Sequence, residues 1–92
     1  MHNVIEDKIE RIEARDTIIE NKEELGKIIE DIKAYSKYGE IPKENIYITS
    51  KEIEDNNYEI NIVVKYQNDY MNKKVNCYIE TKEETLEDEN TI

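Results

Sequence analysis

Residues 58–79 read YEINIVVKYQNDYMNKKVNCYI, and the fold turns on them. Tyr58, Ile60, Ile62, Val64 and Tyr66 share one parity, the period-two pattern of a strand with one buried face. Asn68-Asp69 follows, a pair that tolerates the left-handed backbone of a tight hairpin turn. With those two residues as the loop, Met71 falls opposite Tyr66, Val75 opposite Ile62, Cys77 opposite Ile60 and Ile79 opposite Tyr58. Lys73, set opposite Val64, is the one residue that breaks the apolar face. A slip of one residue would turn the apolar side chains of 71–79 to the wrong side, so turn and pattern support each other.

Working outward, NIYITSKEIE (45–54) predicts a further strand on the N-terminal side of this hairpin. A three-residue loop, Asp55-Asn56-Asn57, places Ile46 opposite Tyr66 and Ile48 opposite Val64. Ile53 then falls on the wrong face, and a bulge between Ser50 and Ile53 is expected to correct it. Upstream, residues 3 to about 38 read as helix. Ile5, Ile9 and Ile12 recur at spacings of four and three, as do Leu25, Ile28, Ile29, Ile32 and Tyr35. The two stripes differ in phase, so something changes between Glu13 and Asn21. Capping signals at Thr17-x-x-Glu20 and Asn21-x-x-Glu24 allow two helices or one bent helix. The alternative is a short extended segment at Thr17-Ile18-Ile19. Gly39 and Pro42 mark the end of the helical region. The expected fold class is α+β: N-terminal helical segments packed on one face of a three-stranded antiparallel meander, with the Leu25–Tyr35 stripe as the cover. Residues 1–81 form a single domain in this reading, and 82–92 an acidic, solvated tail.

Thirteen basic and 23 acidic residues give a net charge of −10. A phosphate backbone or an anionic membrane surface would repel that field, so direct nucleic-acid or membrane binding is not expected. A basic protein, or the basic groove of a nucleic-acid-binding protein, is the partner it attracts. One cysteine rules out an internal disulfide and suits a reducing compartment. No apolar run approaches a membrane span, and the charged start MHNVIEDKIE does not read as a signal peptide. The expected location is the cytoplasm.

Candidate chemistry is sparse. His2 is the lone histidine and stands beside the first methionine. Cys77 lies on the buried parity between Val75 and Ile79, with no cation to activate it. One Cys and one His cannot close a zinc site within one chain. Asp55-x-Asn57-x-Glu59 begins like a calcium loop, but that motif needs glycine where Ile60 stands and glutamate where Tyr66 stands. The two glycines, thirteen positions apart, form no phosphate-binding loop. No catalytic residue, metal or cofactor is predicted, and the expected class is a non-enzymatic binding protein.

The seven tyrosines carry more information than any of these. Tyr35, Tyr58 and Tyr66 are expected in the core. Tyr47, Tyr70 and Tyr78 take the opposite sheet parity among Asn61, Asn76, Lys65 and Lys74, a composition suited to an adaptable protein interface. Acids are least compensated around Glu52, Glu54 and Asp55 and in the tail, which includes Glu83 and Glu84. These eight residues (Tyr47, Tyr70, Tyr78 and the five acids) are the candidate partner-binding set. In size, charge and lack of catalytic groups the chain is similar to the small acidic inhibitors of phages and mobile elements, such as anti-CRISPR and anti-restriction proteins. The likeness rests on no alignable motif and transfers no residues. It implies stoichiometric inhibition of a nucleic-acid-binding protein by carboxylates that imitate nucleic-acid charge. An immunity protein or antitoxin against a basic nuclease is the neighbouring expectation. A structural module, self-associating as a homodimer through Ile5–Ile12, is the alternative from another class.

Overall fold

The computed structural model describes residues 7–80 of the chain. In chain order it contains β1 (Ile9–Glu13), β2 (Thr17–Ile19), α1 (Glu23–Glu30), β3 (Lys33–Ser36), β4 (Gly39–Glu40), a single 3₁₀ turn (Lys43–Asn45), β5 (Ile46–Glu54), β6 (Asn57–Tyr66) and β7 (Asp69–Ile79). The large sheet has the order β2-β7-β6-β5, with β2 parallel to β7 and the other pairs antiparallel. A small antiparallel sheet, β1-β3-β4, shares one core with it. The described residues are therefore mainly β with one short helix. Helices packed on a three-stranded meander, the α+β expectation, is not what forms. The boundary at residues 81/82 and the tail 82–92 lie outside the described residues.

The expected meander is present as β5-β6-β7, with its parity as read and its turns displaced. Ile60, Ile62, Val64 and Cys77 are fully buried, and Tyr58 and Val75 nearly so. Burying each such aliphatic side chain stabilises the fold by about 1.5–3 kcal/mol. The β6–β7 loop is Gln67-Asn68, so Val75 pairs with Ile60, Cys77 with Tyr58, Met71 with Val64 and Lys73 with Ile62. Gln67 takes φ 54°, a positive φ at the first central position, which fits a type II′ hairpin turn. Asp69 is withheld from the turn because its carboxylate is engaged elsewhere. It accepts hydrogen bonds from the backbone N–H of Ile9 and of Tyr70, both at 2.9 Å. These bonds hold its carboxyl below the ordinary aspartate pKa. The β5–β6 loop is likewise two residues, Asp55-Asn56, with Asn56 at φ 63°. Ile46 faces Val64 and Ile48 faces Ile62. A bulge does occur, between Glu52 and Glu54, yet it leaves Ile53 exposed.

The N-terminal half departs furthest from the helical reading. In β1 the register shifts between Ile9 and Arg11, so Ile9 pairs with Ser36, Arg11 with Tyr35 and Ile12 with Ala34. The extra residue separates two inward side chains by three positions, a spacing that imitates one turn of helix. Thr17–Ile19 is extended and pairs with Cys77–Ile79. Among the described residues α-helix is confined to Glu23–Glu30, where the Asn21 side chain accepts a hydrogen bond from the N–H of Glu23 at 3.0 Å. Leu25 buries there, with Ile28 and Ile29 packed beside it. The ammonium of Lys43 is hydrogen-bonded to the carbonyls of Glu30 and Ile32, satisfying the helix end. After Ile32 the period becomes two: Ala34 and Ser36 are buried while Tyr35 is half-buried. Gly39 does not end the helix; it follows the β3–β4 turn with φ 138°.

Candidate functional site

Tyr47, Tyr70 and Tyr78 all lie on the face of the large sheet turned away from the core, as expected from their parity. Cross-strand pairs order that face. At one end Ile18 stands beside Tyr78, and Tyr78 pairs with Asn57, which pairs in turn with Glu54. Towards the middle, Lys51 pairs with Glu59, and Thr49 with Asn61, next to Lys74. These residues line a shallow polar depression of about 280 Å³. At the far end Tyr47 pairs with Val63, and Lys65 with Tyr70.

The candidate set therefore separates into two groups. Glu54 is joined to Tyr78 through Asn57 at the β5–β6 turn, with Asp55 next to it, whereas Glu52 pairs with buried Tyr58 and takes the other parity of the sheet. Tyr70 is eight residues back along β7, roughly 27 Å away at strand rise. Tyr47 lies at that far end too, with the ammonium of Lys65 5.7 Å from its ring centre. One end is apolar and acidic; the other is aromatic and cationic. The centre carries Lys51 and Lys74 against Glu59, and the far end Lys65, so the face as a whole is no carboxylate surface. Glu83 and Glu84 lie outside the described residues.

Two residues of the acidic end were missed by sequence reasoning. Ile18 is 68% exposed and Ile53 45%, beside Tyr78 at 40%. Reading Thr17-Ile18-Ile19 as extended would have alternated Ile18 outward from Ile19; the helical reading hid it. Ile53 had been expected to turn inward through its bulge. The turn that carries this end is held by the backbone: the carbonyl of Asn56 accepts from the N–H of Ile79 at 2.9 Å. β2 is tied in by Asp16, whose carboxylate accepts from the N–H of Asn76 at 2.9 Å.

The remaining sequence candidates take structural places. Cys77 is buried between the sheets, and burial, then the charge of Glu24, pushes its thiol pKa up. Tyr58 is buried, and the half-buried Tyr66 donates its hydroxyl to Asp7 at 3.3 Å. Ile9 and Ile12 are core residues, so the self-association surface expected at Ile5–Ile12 is not available on those two side chains. Among the described residues no helix is long and apolar enough to cross a membrane. No family model, curated protein or solved structure matches the chain.

Proposed function

We propose that this chain acts by binding another protein, as a stoichiometric inhibitor of a basic, nucleic-acid-binding partner. The contact is the end of the large sheet at the β5–β6 turn. The observation that carries the proposal is the cross-strand row there of exposed Ile18, Tyr78 and, through Asn57, Glu54, with exposed Ile53 and Asp55 on either side of Glu54 in the chain. An apolar centre with a charged rim is the composition of a specific interface. Exposed carboxylates steer a cationic partner to it, and the aromatic anchor, covered on binding, sets how long it stays. Counter-defence inhibitors of phages and mobile elements, and immunity proteins or antitoxins, share this mode of action. It requires no catalytic group, cofactor or direct nucleic-acid contact.

The test is affinity capture on the immobilised chain, repeated with variants and in rising salt. A nucleic-acid-binding protein should be retained at one-to-one stoichiometry and lose nucleic acid on binding. The triple change Glu52→Gln, Glu54→Gln and Asp55→Asn should slow association, most at low salt. Tyr78→Ala should hasten dissociation by ~30-fold or more, the kinetic equivalent of a ~2 kcal/mol anchor. A partner indifferent to salt and to all four changes overturns the proposal.

One observation favours a second reading. Among the described residues β5 is a nine-residue strand at the edge of its sheet, and β6 is its one extensive contact. Such an edge is a template for antiparallel pairing with a second copy. Light scattering separates the readings, since a homodimer would show twice the 11.0 kDa of the chain.

A further inference from the structure

A second feature lies on the other side of the large sheet and plays no part in the proposed interface. Among the described residues β2 pairs only with Cys77–Ile79, so the flank of β7 at Lys73–Val75 carries no β2 partner. Between it, the β1–β2 connection and the last turn of α1 is a cleft of about 490 Å³. That volume is in the range of small-molecule sites. Its apolar lining comes from Ile12, Ala14, Ile28, Ile32 and Val75. Its charged lining is unexpected in a chain of net charge −10. Both arginines of the protein, Arg11 and Arg15, face it with Lys73, against Glu13 and Asp31.

These charges are not equivalent. Arg11 is engaged: its Nε donates to Glu13 at 3.1 Å, and its guanidinium stacks 4.3 Å from the ring centre of Tyr35. The guanidinium of Arg15 makes no hydrogen bond or ion pair among the described residues. Lys73 holds an inward position on β7, opposite fully buried Ile62, where an apolar residue is the rule. Its ammonium donates to the Ile12 carbonyl at 3.3 Å, leaving two N–H donors to spare. An apolar cleft thus carries two cations with unused donors, and Asp31 is the one acid not already paired.

We infer that this cleft binds a small anionic amphiphile, a carboxylate carried on an aliphatic body. The body replaces water against Ile28, Ile32 and Val75. The carboxylate takes hydrogen bonds from Arg15, whose planar fork suits it, and from Lys73. Asp31 disfavours an anionic head, but Arg15 and Lys73 outnumber it and favour one. The unexpected lysine of β7 then has a role that a plain structural tie to Ile12 would not require.

The experiment is titration of the full chain with sodium octanoate below its micellar range, followed by amide chemical shifts and calorimetry. Acetate, octan-1-ol and octylammonium serve as controls for head, body and charge. Saturable shifts should centre on Thr17, Ile28, Ile32 and Val75, with each control at least tenfold weaker. Arg15→Gln and Lys73→Met should each weaken octanoate binding about tenfold while the chain stays folded. Ile28→Asp, at a half-buried position, should abolish binding by charging the lining. If Lys73→Met lowers the melting temperature but leaves octanoate affinity unchanged, the lysine is a structural tie and the inference fails. It fails equally if octanoate gives no saturable shifts, shifts elsewhere, or is matched by octan-1-ol.

Discussion

β6 and β1 both send isoleucines into the same core, but by different means. β6 is ten residues long, hydrogen-bonded along its length to β5 and β7, and its inward side chains from Tyr58 to Val64 are buried. β1 has five residues, pairs among the described residues only with β3, and carries a bulge. Its start is held by side chains of the β6–β7 turn: Gln67 accepts from the N–H of Asp7, and Asp69 from that of Ile9, both at 2.9 Å. The large sheet supplies its own order, whereas the small sheet borrows part of its order from a turn about sixty residues away in sequence.

The largest effect is expected at the centre of β6. Ile62→Ala removes a fully buried side chain that neighbouring ladders prevent from collapsing. The cost should be about 3–4 kcal/mol. For a domain of this size that lowers the melting temperature by roughly 15–25 °C. Ile12→Ala, at the margin of the cleft, should cost about 2 kcal/mol, since solvent and neighbours can adjust there. Thermal unfolding of the two variants checks the contrast. Equal losses would show that β1 is held as rigidly as β6.

Asp69→Asn probes the borrowed order directly. An amide oxygen can keep one of the two backbone bonds; the other N–H is left facing an amide NH₂. The loss should be smaller than for Ile62→Ala and localised. Hydrogen exchange should quicken at β1 amides and leave those of β6 unchanged. The pH dependence has a definite sign. The folded-state pKa of Asp69 is lowered, so its contribution is complete above the unfolded carboxylate value and disappears as pH falls through the lowered folded value. The stability gap between wild type and Asp69→Asn should be constant near neutrality and close in acid. A gap independent of pH down to pH 2 would mean the carboxylate does not hold β1.

The same contrast explains what could be read from residues alone. Alternation from Tyr58 to Tyr66 is uninterrupted because β6 has no bulge and one buried face, so strand, parity and core membership follow from it. The turn positions did not follow, since nothing local reveals that Asp69 is committed to Ile9, a residue distant in sequence. In β1 the bulge converts a period of two into a spacing of three, and the same residues then match a helix. Of the candidate site, the outward tyrosines were legible from parity. The grouping of Tyr78 with Glu54, apart from Tyr47 and Tyr70, and the placing of Glu52 on the other parity depend on a register that no single strand encodes.

The smallest expected effect is also the sharpest test of that account. In β1, Glu10 and Arg11 together occupy the space opposite Tyr35, and both are exposed. Deleting Glu10 removes the extra residue while Ile9 stays opposite Ser36, Arg11 opposite Tyr35 and Ile12 opposite Ala34. Both isoleucines keep their inward direction, now at the regular spacing of two. The deletion should cost about 1 kcal/mol or less, a shift of no more than about 4–8 °C in the melting temperature. Deleting Asn61 from β6 is the matched control. With no bulge to absorb the change, it turns either the Ile60 side or the Ile62 side of the strand outward, and the chain should fail to fold. In a helix, removing Glu10 would swing Ile9 about 100° from Ile12 and expose one of them. A Glu10 deletion as damaging as the Asn61 deletion would therefore show that the spacing of Ile9 and Ile12 is not the product of a bulge.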